Sequence, residues 1–293
     1  MLHVIINPVS GAGADPNAAS RRAAMVCAAA EQRGTPVLVS FTERSGHGRE
    51  LGEAAVAARA TGVIVWGGDG TFNEAAGALL NSSIPIGLIP SGSGNGLAGA
   101  LGVPRDPARA IAAAMDGHAH AIDAGRMAGR HFFNIAGVGF DARVAALFNA
   151  RGAGARGAWP YLMIGVREGC TYCAVDYTVR LDDDSRKYKA LLIAFANGRE
   201  YGLGARIAPG ASLDDGLLDA IIVEDAGVLA RFWHARHLAR GTPELAPPVT
   251  TRRVTRAVIE ADCEMEFHVD GEPGRASGRI EVEILPGALL IRR

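Results

Sequence analysis

An apolar run that ends in clustered glycines, directly before a helical pattern, is the feature that most constrains the fold of this chain. Residues 63–66 are Val-Ile-Val-Trp, and residues 67–71 are Gly-Gly-Asp-Gly-Thr. Helical spacing follows at once in the apolar side chains Phe72, Ala75, Ala76, Leu79 and Leu80. Because glycine lets a ligand reach the backbone without a Cβ in the way, the cluster indicates close approach of a large, negatively charged group.

Strands and helices alternate through the first 120 residues. Apolar strands are predicted at residues 2–6, 37–41, 63–66 and 84–89. Helices are predicted from Asp15-Pro16 to Gly34, over residues 47–60, from Phe72 onwards and over residues 106–117. Such alternation implies a parallel sheet with helices on its faces. Ligands bind at the carboxyl ends of the strands of such sheets.

The pattern changes near residue 121, where short strand-like runs replace the alternation. These runs are residues 131–136, 175–181, 189–196, 217–223, 254–260, 264–269, 279–285 and 288–291. Helical patterns are few, at residues 141–149, 159–167 and 227–240. The second half is therefore predicted to be an antiparallel β-sandwich.

Composition indicates an ordinary globular chain. Its 293 residues are 48% hydrophobic and 21% charged, enough for two domains, and the formal net charge of -1 gives no support for nucleic-acid binding. The start of the sequence lacks signal-peptide features, and no apolar run approaches the roughly 20 residues that span a bilayer. We therefore expect a cytoplasmic protein without a transmembrane segment. The four cysteines are too few for a disulfide scaffold, and no second pair completes a zinc site with Cys170 and Cys173.

Three glycine-rich loops follow strands of the first domain, at residues 7–13, 67–71 and 90–96. Each precedes a helix, and helix N-termini hold phosphate through backbone N–H groups. None is a Walker A motif, since the lysine and the Ser/Thr after the last glycine are missing, and no G-x-G-x-x-G follows the first strand. The three loops together predict a binding site for a phosphate chain.

The residues of the second loop allow two interpretations. Thr71 and Glu74 fit a capping box, which would explain both without a ligand. Asp69 is not explained in this way, because a carboxylate beside phosphates calls for an intervening Mg²⁺ or for a role as a base. Asp69 is therefore a candidate catalytic residue.

Taken in order, these motifs resemble the catalytic domain of the diacylglycerol kinase family, which includes bacterial lipid kinases, sphingosine kinases and ceramide kinases. The matching segments are Asn7-Pro8-x-Ser10-Gly11, residues 67–74, 89–95, 133–141, 196–198, 208–209, 214–219 and 269–272. The resemblance covers nearly the whole chain. The Gly-Gly-Asp-Gly-Thr segment alone is less specific, because NAD kinases share it.

The resemblance implies a Rossmann-like, NAD kinase-like α/β domain over residues 1–122, joined by residues 286–293, and a β-sandwich lipid-substrate domain over residues 123–285. It also implies ATP and Mg²⁺ as cofactors. The implied nucleotide-binding residues are Asn7, Ser10, Gly11, Thr42, Gly67, Gly68, Asp69, Gly70, Thr71, Asn73, Glu74, Gly92, Ser93 and Asn95.

Two acidic motifs of the second domain are assigned functional roles, in metal binding and in proton transfer, only by the resemblance. The Asp215 carboxylate and the backbone oxygens of Ser212 and Leu217 would hold a structural Mg²⁺, whereas composition alone favours a plain turn there. Glu272 would accept the proton of the lipid hydroxyl, with Asp69 as the rival base. Residues 270–274 also read as a hairpin turn, and both interpretations can hold together.

Departures from the family bear on the acceptor. Gly96 stands where many bacterial members carry aspartate, and this glycine makes the loop resemble the sphingoid branch of the family. However, Arg143 aligns with the acidic residue that is thought to contact the substrate amine in sphingosine kinases. A neutral diacylglycerol-like or ceramide-like lipid fits at least as well as a sphingoid base. Residues 228–240 form a basic amphipathic segment that suits either a transient membrane contact or a helix packed on the sandwich.

The rival functions are an NAD kinase-like enzyme and a non-catalytic lipid- or nucleotide-binding protein. The sequence does not fix the oligomeric state, and a homodimer is compatible with it.

Overall fold

A computed structural model describes residues 1–11, 17–92, 94–150, 158–202, 205–242 and 248–293. The chain divides into two compact units, Met1–Ile122 with Gly287–Arg293, and Asp123–Pro286. The second unit thus ends one residue later than the limit predicted from the sequence. None of the described helices is both long enough and apolar enough to cross a bilayer.

The first unit is built on a parallel sheet. Its strands are β1 (Leu2–Ile6), β2 (Val37–Phe41), β3 (Gly62–Gly67) and β4 (Ile86–Pro90), in the order β2-β1-β3-β4. Ile291 and Arg292, near the end of the chain, pair in parallel with Ile86 and Gly87 of β4. Every residue of β1 and β3 is buried, as is typical of parallel strands covered on both faces.

Helices separate these strands, as predicted. They are α1 (Ala18–Gln32), α2 (His47–Ala57), α3 (Asp69–Leu79), α4 (Gly96–Ala100) and α5 (Pro107–Asp116). The Asp106 side chain caps α5 by accepting the Arg109 N–H, which confirms the predicted start of that helix. The predicted start of the first helix at Asp15-Pro16 lies outside the described residues. The short α4 was not predicted.

Glycine brings α2 and α3 into close contact. A Cβ on Gly52 would lie 2.9 Å from the Ala75 carbonyl oxygen, and one on Gly48 would lie 2.8 Å from Glu74 Oε2. The buried apolar side chains of α3 include Phe72, Ala75, Ala76 and Leu79, as the helical spacing indicated. The two helices therefore pack directly against each other where α2 carries Gly48 and Gly52.

The described part of the second unit contains antiparallel strands and three helices. Its strands are β5 (Ala119–Met127), β6 (Arg130–Phe132), β7 (Ile135–Gly139), β8 (Val175–Leu181), β9 (Asp184–Ala196), β10 (Leu218–Glu224), β11 (Val249–Val254), β12 (Arg256–Val269) and β13 (Glu272–Arg292), although residues 119–122 of β5 and 287–292 of β13 belong to the first unit. Its helices are α6 (Phe140–Ala150), α7 (Ala158–Thr171) and α8 (Val228–Arg240). The strands follow the order β11-β10-β9-β7-β12-β13, and β8 pairs with both β9 and β12.

Several strand limits differ from the prediction. The runs at residues 254–260 and 264–269 belong largely to the single strand β12, whose register with β13 shifts between Glu260 and Glu264. β11 escaped prediction because its sequence, Val-Thr-Thr-Arg-Arg-Val, is mostly polar. The main core includes the fully buried side chains of Phe132, Phe195, Ile222 and Ile259.

Candidate active site

The loop after β1 is shaped by Asn7 and by an arginine of α1. The Asn7 N–H donates to the Trp66 carbonyl at 2.9 Å, and Asn7 Oδ1 accepts the Val9 N–H at 3.0 Å. Arg22 Nη1 donates to the Asn7 carbonyl at 2.8 Å, and Arg22 Nη2 donates to the Ser10 carbonyl at 2.7 Å. Burial lowers the pKa of Arg22, and the neighbouring Arg21 adds to this effect. Residues 7–10 of the loop are therefore held by hydrogen bonds, with a guanidinium group against them.

Asn7 also joins the first loop to the second. Its Nδ2 donates to Thr71 Oγ1 at 2.8 Å, and Thr71 is buried. A Cβ on Gly67 would lie 2.9 Å from the Thr71 Cβ, so glycine is what permits Thr71 to lie against the end of β3. Two predicted nucleotide-binding residues, Asn7 and Thr71, thus hold each other in place.

The capping box predicted for Thr71 and Glu74 is wrong. α3 begins at Asp69 with Gly68 as N-cap, and no side chain caps it. Glu74 reaches across to α2, where Oε1 accepts the Gly46 N–H at 2.7 Å and Oε2 accepts the Gly48 N–H at 3.0 Å. The Thr71–Glu74 spacing gave a wrong prediction because the helix starts two residues before Thr71, so Thr71 is not the N-cap. Its first turn instead offers backbone N–H groups without a side-chain cap, as an anion site requires.

The second and third loops touch through glycine. A Cβ on Gly92 would lie 2.8 Å from the Gly68 Cα. Asn95, at φ 52°, closes the third loop: its Oδ1 accepts the Gly92 N–H at 2.8 Å, and its Nδ2 donates to the Gly92 carbonyl at 2.7 Å. Ser10 Oγ and Ser91 Oγ lie 2.7 Å apart, which links the first and third loops. The predicted contact residue Ser93 lies outside the described residues.

Asp69 links the starts of α3 and α4. Its Oδ2 accepts the Gly96 N–H at 3.2 Å, so the carboxylate lies beside the third loop. Thr42 follows β2, and its N–H donates to the Ile6 carbonyl at 3.0 Å. Gly70 and Asn73 lie in α3. All of these predicted residues except Ser93 are therefore described in the first unit, where the loops present glycine-lined backbone with one carboxylate among them.

The predicted hairpin turn at Asp270 is present in the second unit. Val269 pairs with Glu272, and Asp270 and Gly271 between them have φ angles of 49° and 85°. Positive φ at both central residues is the geometry of a tight hairpin. The Asp270 carboxylate accepts the backbone N–H groups of Phe133, Asn134 and Ile135 at 2.8, 2.9 and 3.1 Å. Asp270 is thus a structural clamp, and Glu272 follows it at an exposed position.

The predicted metal-binding segment forms a turn. Asp215 Oδ1 accepts the Leu217 N–H at 3.1 Å, and the Ser212 hydroxyl donates to Asp214 Oδ1 at 2.6 Å. Gly216, at φ 72°, donates its N–H to the buried Asp123 carboxylate at 2.7 Å. Among the described residues, no three His, Cys, Asp or Glu side chains cluster so as to hold a metal. A cation here would depend on the Asp215 carboxylate and on carbonyl oxygens.

A buried polar group next to the hairpin turn was not found from the sequence. His268, in β12, lies 3.2 Å from Asp141 of α6, and both are buried. Their sequence separation is 127 residues, and a histidine between two apolar neighbours gives no local signal of a partner. The four cysteines, by contrast, are free and exposed.

Comparison with known proteins agrees with both halves of the fold. Residues 1–127 match the family described as the diacylglycerol kinase catalytic domain, and residues 134–293 match the YegS C-terminal NAD kinase beta sandwich-like domain. A probable lipid kinase YegS-like protein of Chromohalobacter salexigens is 30% identical over 264 residues, covering 89% of this chain and 85% of that protein. A diacylglycerol kinase of Staphylococcus epidermidis is 31% identical over 247 residues, covering 83% and 78%.

Solved structures support the predicted fold class. A diacylglycerol kinase crystal structure from Bacillus anthracis str. Sterne superimposes with a TM-score of 0.75 at 21% identity, covering 99% of this chain and 96% of that one. An NAD kinase from Archaeoglobus fulgidus, in complex with ATP, gives a TM-score of 0.55 at 13% identity, covering 100% and 94%. The α/β and β-sandwich architecture is thereby confirmed. With the sequence matches across both halves, the chain belongs to the family of YegS-like lipid kinases and diacylglycerol kinases.

Proposed function

We propose that this chain is an ATP- and Mg²⁺-dependent lipid kinase that phosphorylates a hydroxyl group of a diacylglycerol-like or sphingoid/ceramide-like lipid. The observation that carries the proposal is the meeting of three glycine-rich loops at the carboxyl ends of parallel strands, where Gly68 and Gly92 leave no space for a side chain. Such a surface suits a phosphate chain, because its oxygens can accept hydrogen bonds from the backbone.

The transfer is a displacement at the γ-phosphorus. The lipid hydroxyl oxygen forms the new P–O bond, the bond to the bridging oxygen breaks, and ADP leaves. The hydroxyl proton passes to a carboxylate, for which Glu272 is the first candidate because it is exposed at the end of the hairpin turn. Bound Mg²⁺ would neutralise phosphate charge, and positioning would supply most of the remaining catalysis.

Asp69 is the second candidate, and its surroundings favour a different role. Its carboxylate already accepts the Gly96 N–H and lies between two phosphate-binding loops. A carboxylate so placed would repel phosphate unless a cation intervened. Asp69 therefore suits the orientation of Mg²⁺-bound nucleotide, and Glu272 suits proton transfer.

The charges near Glu272 favour a neutral acceptor. A cavity of about 270 Å³ is lined by Ala142, Ala146, Glu266, Pro273, Gly274 and Arg275. Glu266 lies 3.3 Å from Arg143 and 3.4 Å from Arg275, and Arg143 also pairs with Glu168 at 3.3 Å. The hydrogen bond to Glu168, followed by the charge of Glu266, raises the pKa of Arg143. An amine would have to compete with these arginines, whereas a hydroxyl group would not.

Asp215, Ser212 and Leu217 would hold a structural Mg²⁺ in the second unit. A carboxylate with backbone oxygens is a donor set that suits this hard cation. The Asp215 side chain is 27% exposed, and Arg253 Nη1 stands 3.8 Å from its carboxylate. We expect Asp215→Asn to abolish a Mg²⁺-dependent rise of the melting temperature measured without nucleotide.

α8 combines an anchored side with an outward face. Arg231 pairs with Asp225 at 2.9 Å and donates to the Tyr172 carbonyl at 2.8 Å. Trp233 is 54% exposed, and Arg236 and Arg240 are exposed on the same face. This face suits transient contact with an anionic lipid surface, while Arg231 fixes the helix to the unit.

The test is transfer of labelled γ-phosphate from Mg²⁺-ATP to an acceptor panel. Diacylglycerol, monoacylglycerol, ceramide and sphingosine are presented in mixed micelles, and NAD is presented in solution. Glu272→Gln and Asp69→Asn are compared with the wild type, and Glu281→Gln is the matched control, since that side chain is 71% exposed on the same strand. We expect one neutral lipid to be labelled, with turnover falling about 10²- to 10⁴-fold in Glu272→Gln.

The affinity of each variant for Mg²⁺-ATP distinguishes the role of Glu272 from that of Asp69. We expect Glu272→Gln to bind Mg²⁺-ATP like the wild type and Asp69→Asn to bind it more weakly. Label in NAD alone would replace the proposal with the NAD kinase-like alternative. Nucleotide binding without label in any acceptor would favour the non-catalytic binding protein.

A further inference from the structure

The hairpin turn that carries Glu272 is tied to a buried histidine. His268 lies two residues before Asp270 in β12, and its Nδ1 accepts the Gly271 N–H at 3.2 Å. Its Nε2 faces Asp141 Oδ2 at 3.2 Å. The His268 and Asp141 side chains are only 4% and 7% exposed, so the contact between them lies away from solvent.

Asp141 is itself firmly oriented at the start of α6. Its Oδ1 accepts the Ala142 N–H at 2.8 Å, and its Oδ2 accepts the Tyr201 hydroxyl at 2.9 Å. Gly137 of β7 stands opposite His268 in the sheet, and a Cβ there would collide with Asp141 Oδ2. Glycine at this position therefore leaves the space that the carboxylate occupies beside the imidazole.

The two contacts of His268 require the same tautomer. A backbone N–H can only donate, so Nδ1 must carry a lone pair when it accepts from Gly271. The ring proton then resides on Nε2, where it donates to the Asp141 carboxylate. Asp141 thus selects the tautomer that can receive the Gly271 N–H.

Gly271 is the residue directly before Glu272. The Asp270 carboxylate fixes one side of the turn through three backbone N–H groups, and His268 fixes the other through Gly271. Both central residues of the turn have positive φ, so the turn depends on such contacts to keep one conformation.

We propose that Asp141 and His268 form a positioning pair that fixes the Gly271 end of the hairpin turn and thereby the placement of the Glu272 carboxylate. This inference rests on the proposed function of Glu272 as proton acceptor. His268 does not exchange protons with the substrate in this scheme. Its effect on turnover passes through the orientation of Glu272.

Two substitutions of His268 separate the contacts. In His268→Asn, the amide oxygen can stand near the position of Nδ1 and accept the Gly271 N–H, but the side chain is too short to reach Asp141. In His268→Gln, the longer amide can reach Asp141 but no acceptor remains at the Nδ1 position. In Asp141→Asn, the Ala142 N–H holds the amide oxygen at the Oδ1 position, so the amide N–H group faces Nε2. This favours the opposite tautomer and disrupts the Gly271 contact.

The first readout is NMR of the full chain and does not depend on catalysis. The ¹⁵N shifts of His268, assigned with His268→Gln, should show a neutral ring protonated on Nε2. Amide exchange of Gly271 should be slow in the wild type and in His268→Asn, and fast in His268→Gln and Asp141→Asn. A ring protonated on Nδ1, or equal Gly271 exchange in all variants, would overturn the proposal.

The second readout is steady-state kinetics with the lipid that the wild type phosphorylates. A displaced Glu272 should lower kcat by about 10- to 100-fold in His268→Gln, with little change in the KM for ATP. His268→Asn should keep most of kcat, and Tyr201→Phe should lose less than Asp141→Asn, since it leaves the tautomer unchanged. Losses that follow the melting temperature across all variants would indicate a purely structural role and contradict the inference.

The two proposals fail in different ways. A wild type that phosphorylates no lipid contradicts the lipid kinase proposal, and the NMR readout still decides whether His268 fixes the turn. An active wild type in which His268→Gln retains more kcat than His268→Asn contradicts the positioning pair and leaves the kinase in place.

Discussion

Gly68 and Gly92 approach so closely that a Cβ on Gly92 would lie 2.8 Å from the Gly68 Cα and 2.8 Å from Asn95 Oδ1. Neither contact involves the end of a flexible side chain that could move away at little cost, because Asn95 is itself bonded to Gly92. The contact makes the second and third loops one surface. The two loops can approach this closely because neither Gly68 nor Gly92 carries a side chain.

Gly92→Ala should therefore separate the loops and weaken nucleotide binding. We expect the Kd for Mg²⁺-ATP, measured by calorimetry, to rise about tenfold or more, which corresponds to ~1.4 kcal/mol. Gly77→Ala is the control, since a Cβ there meets only Arg49 Nη2 at 3.6 Å. It should leave the Kd unchanged and stabilise α3 by about 0.5–1 kcal/mol. Equal Kd values for Gly92→Ala and the wild type would show that the loops do not act as one surface.

Glu74 stabilises α2 through two backbone N–H groups at the N-terminus of that helix. Glu74→Gln should lower the free energy of unfolding by about 1.5–3 kcal/mol, because hydrogen bonds to a charged group are lost or weakened. The KM for ATP should change little. Urea denaturation and steady-state kinetics check the two effects, and Glu53→Gln, on the exposed side of α2, is the control. A raised KM with unchanged stability would instead assign Glu74 to direct nucleotide contact.

The loops at the edge of the sheet could be predicted from the sequence because the pattern that indicates them is local. Each glycine-rich loop follows an apolar strand, and parallel strands bring their carboxyl ends together, so Asn7, Gly68 and Gly92 were placed without knowledge of any contact. Glu74 shows the limit of this reasoning. Its spacing from Thr71 matches a capping box, but α3 begins two residues before Thr71. The Glu74 carboxylate instead accepts the N–H groups of Gly46 and Gly48 at the start of α2, which are 28 and 26 residues away in the sequence.

The second unit was harder to predict for a physical reason. Strand pairing there joins distant segments, as in the pairing of Val269 in β12 with Ala136 in β7, and such contacts leave no periodic trace in the sequence. The turn at Asp270 and Gly271 was found because it has its own dipeptide signal. The role of Asp270 as a clamp and the pairing of His268 with Asp141 depend on three-dimensional proximity and could not be read from spacing.

His3 should make stability depend on pH. Burial, followed by the positive N-terminus, lowers the pKa of His3, and its Nε2 has no hydrogen-bond partner among the described residues. The folded state thus disfavours the protonated ring, whereas the unfolded chain takes up the proton near its usual pKa of about 6.5. Stability should be complete above that pH and fall as the pH drops below it.

His3→Leu tests this expectation through melting temperatures between pH 7.5 and 5. The variant should lose less stability on acidification than the wild type does, although His234, whose pKa burial also lowers, will leave part of the slope. His118→Gln, at an exposed position, is the control and should follow the wild type. Parallel curves for His3→Leu and the wild type would show that His3 is protonated equally well in both states.

Arg22 is expected to set the shape of the first loop through the geometry of its guanidinium group. One nitrogen donates to the Asn7 carbonyl and to Ser10 Oγ, at 2.8 and 3.0 Å, while the other donates to the Ser10 carbonyl at 2.7 Å. A lysine carries the same charge but cannot reproduce this fork. Arg22→Lys should therefore weaken Mg²⁺-ATP binding about tenfold, nearly as much as Arg22→Met, which corresponds to ~1.4 kcal/mol. Arg21→Lys, at the exposed neighbouring position, should bind like the wild type. If Arg22→Lys binds normally and only Arg22→Met is weak, the positive charge of Arg22 acts on the nucleotide and its fork is not needed.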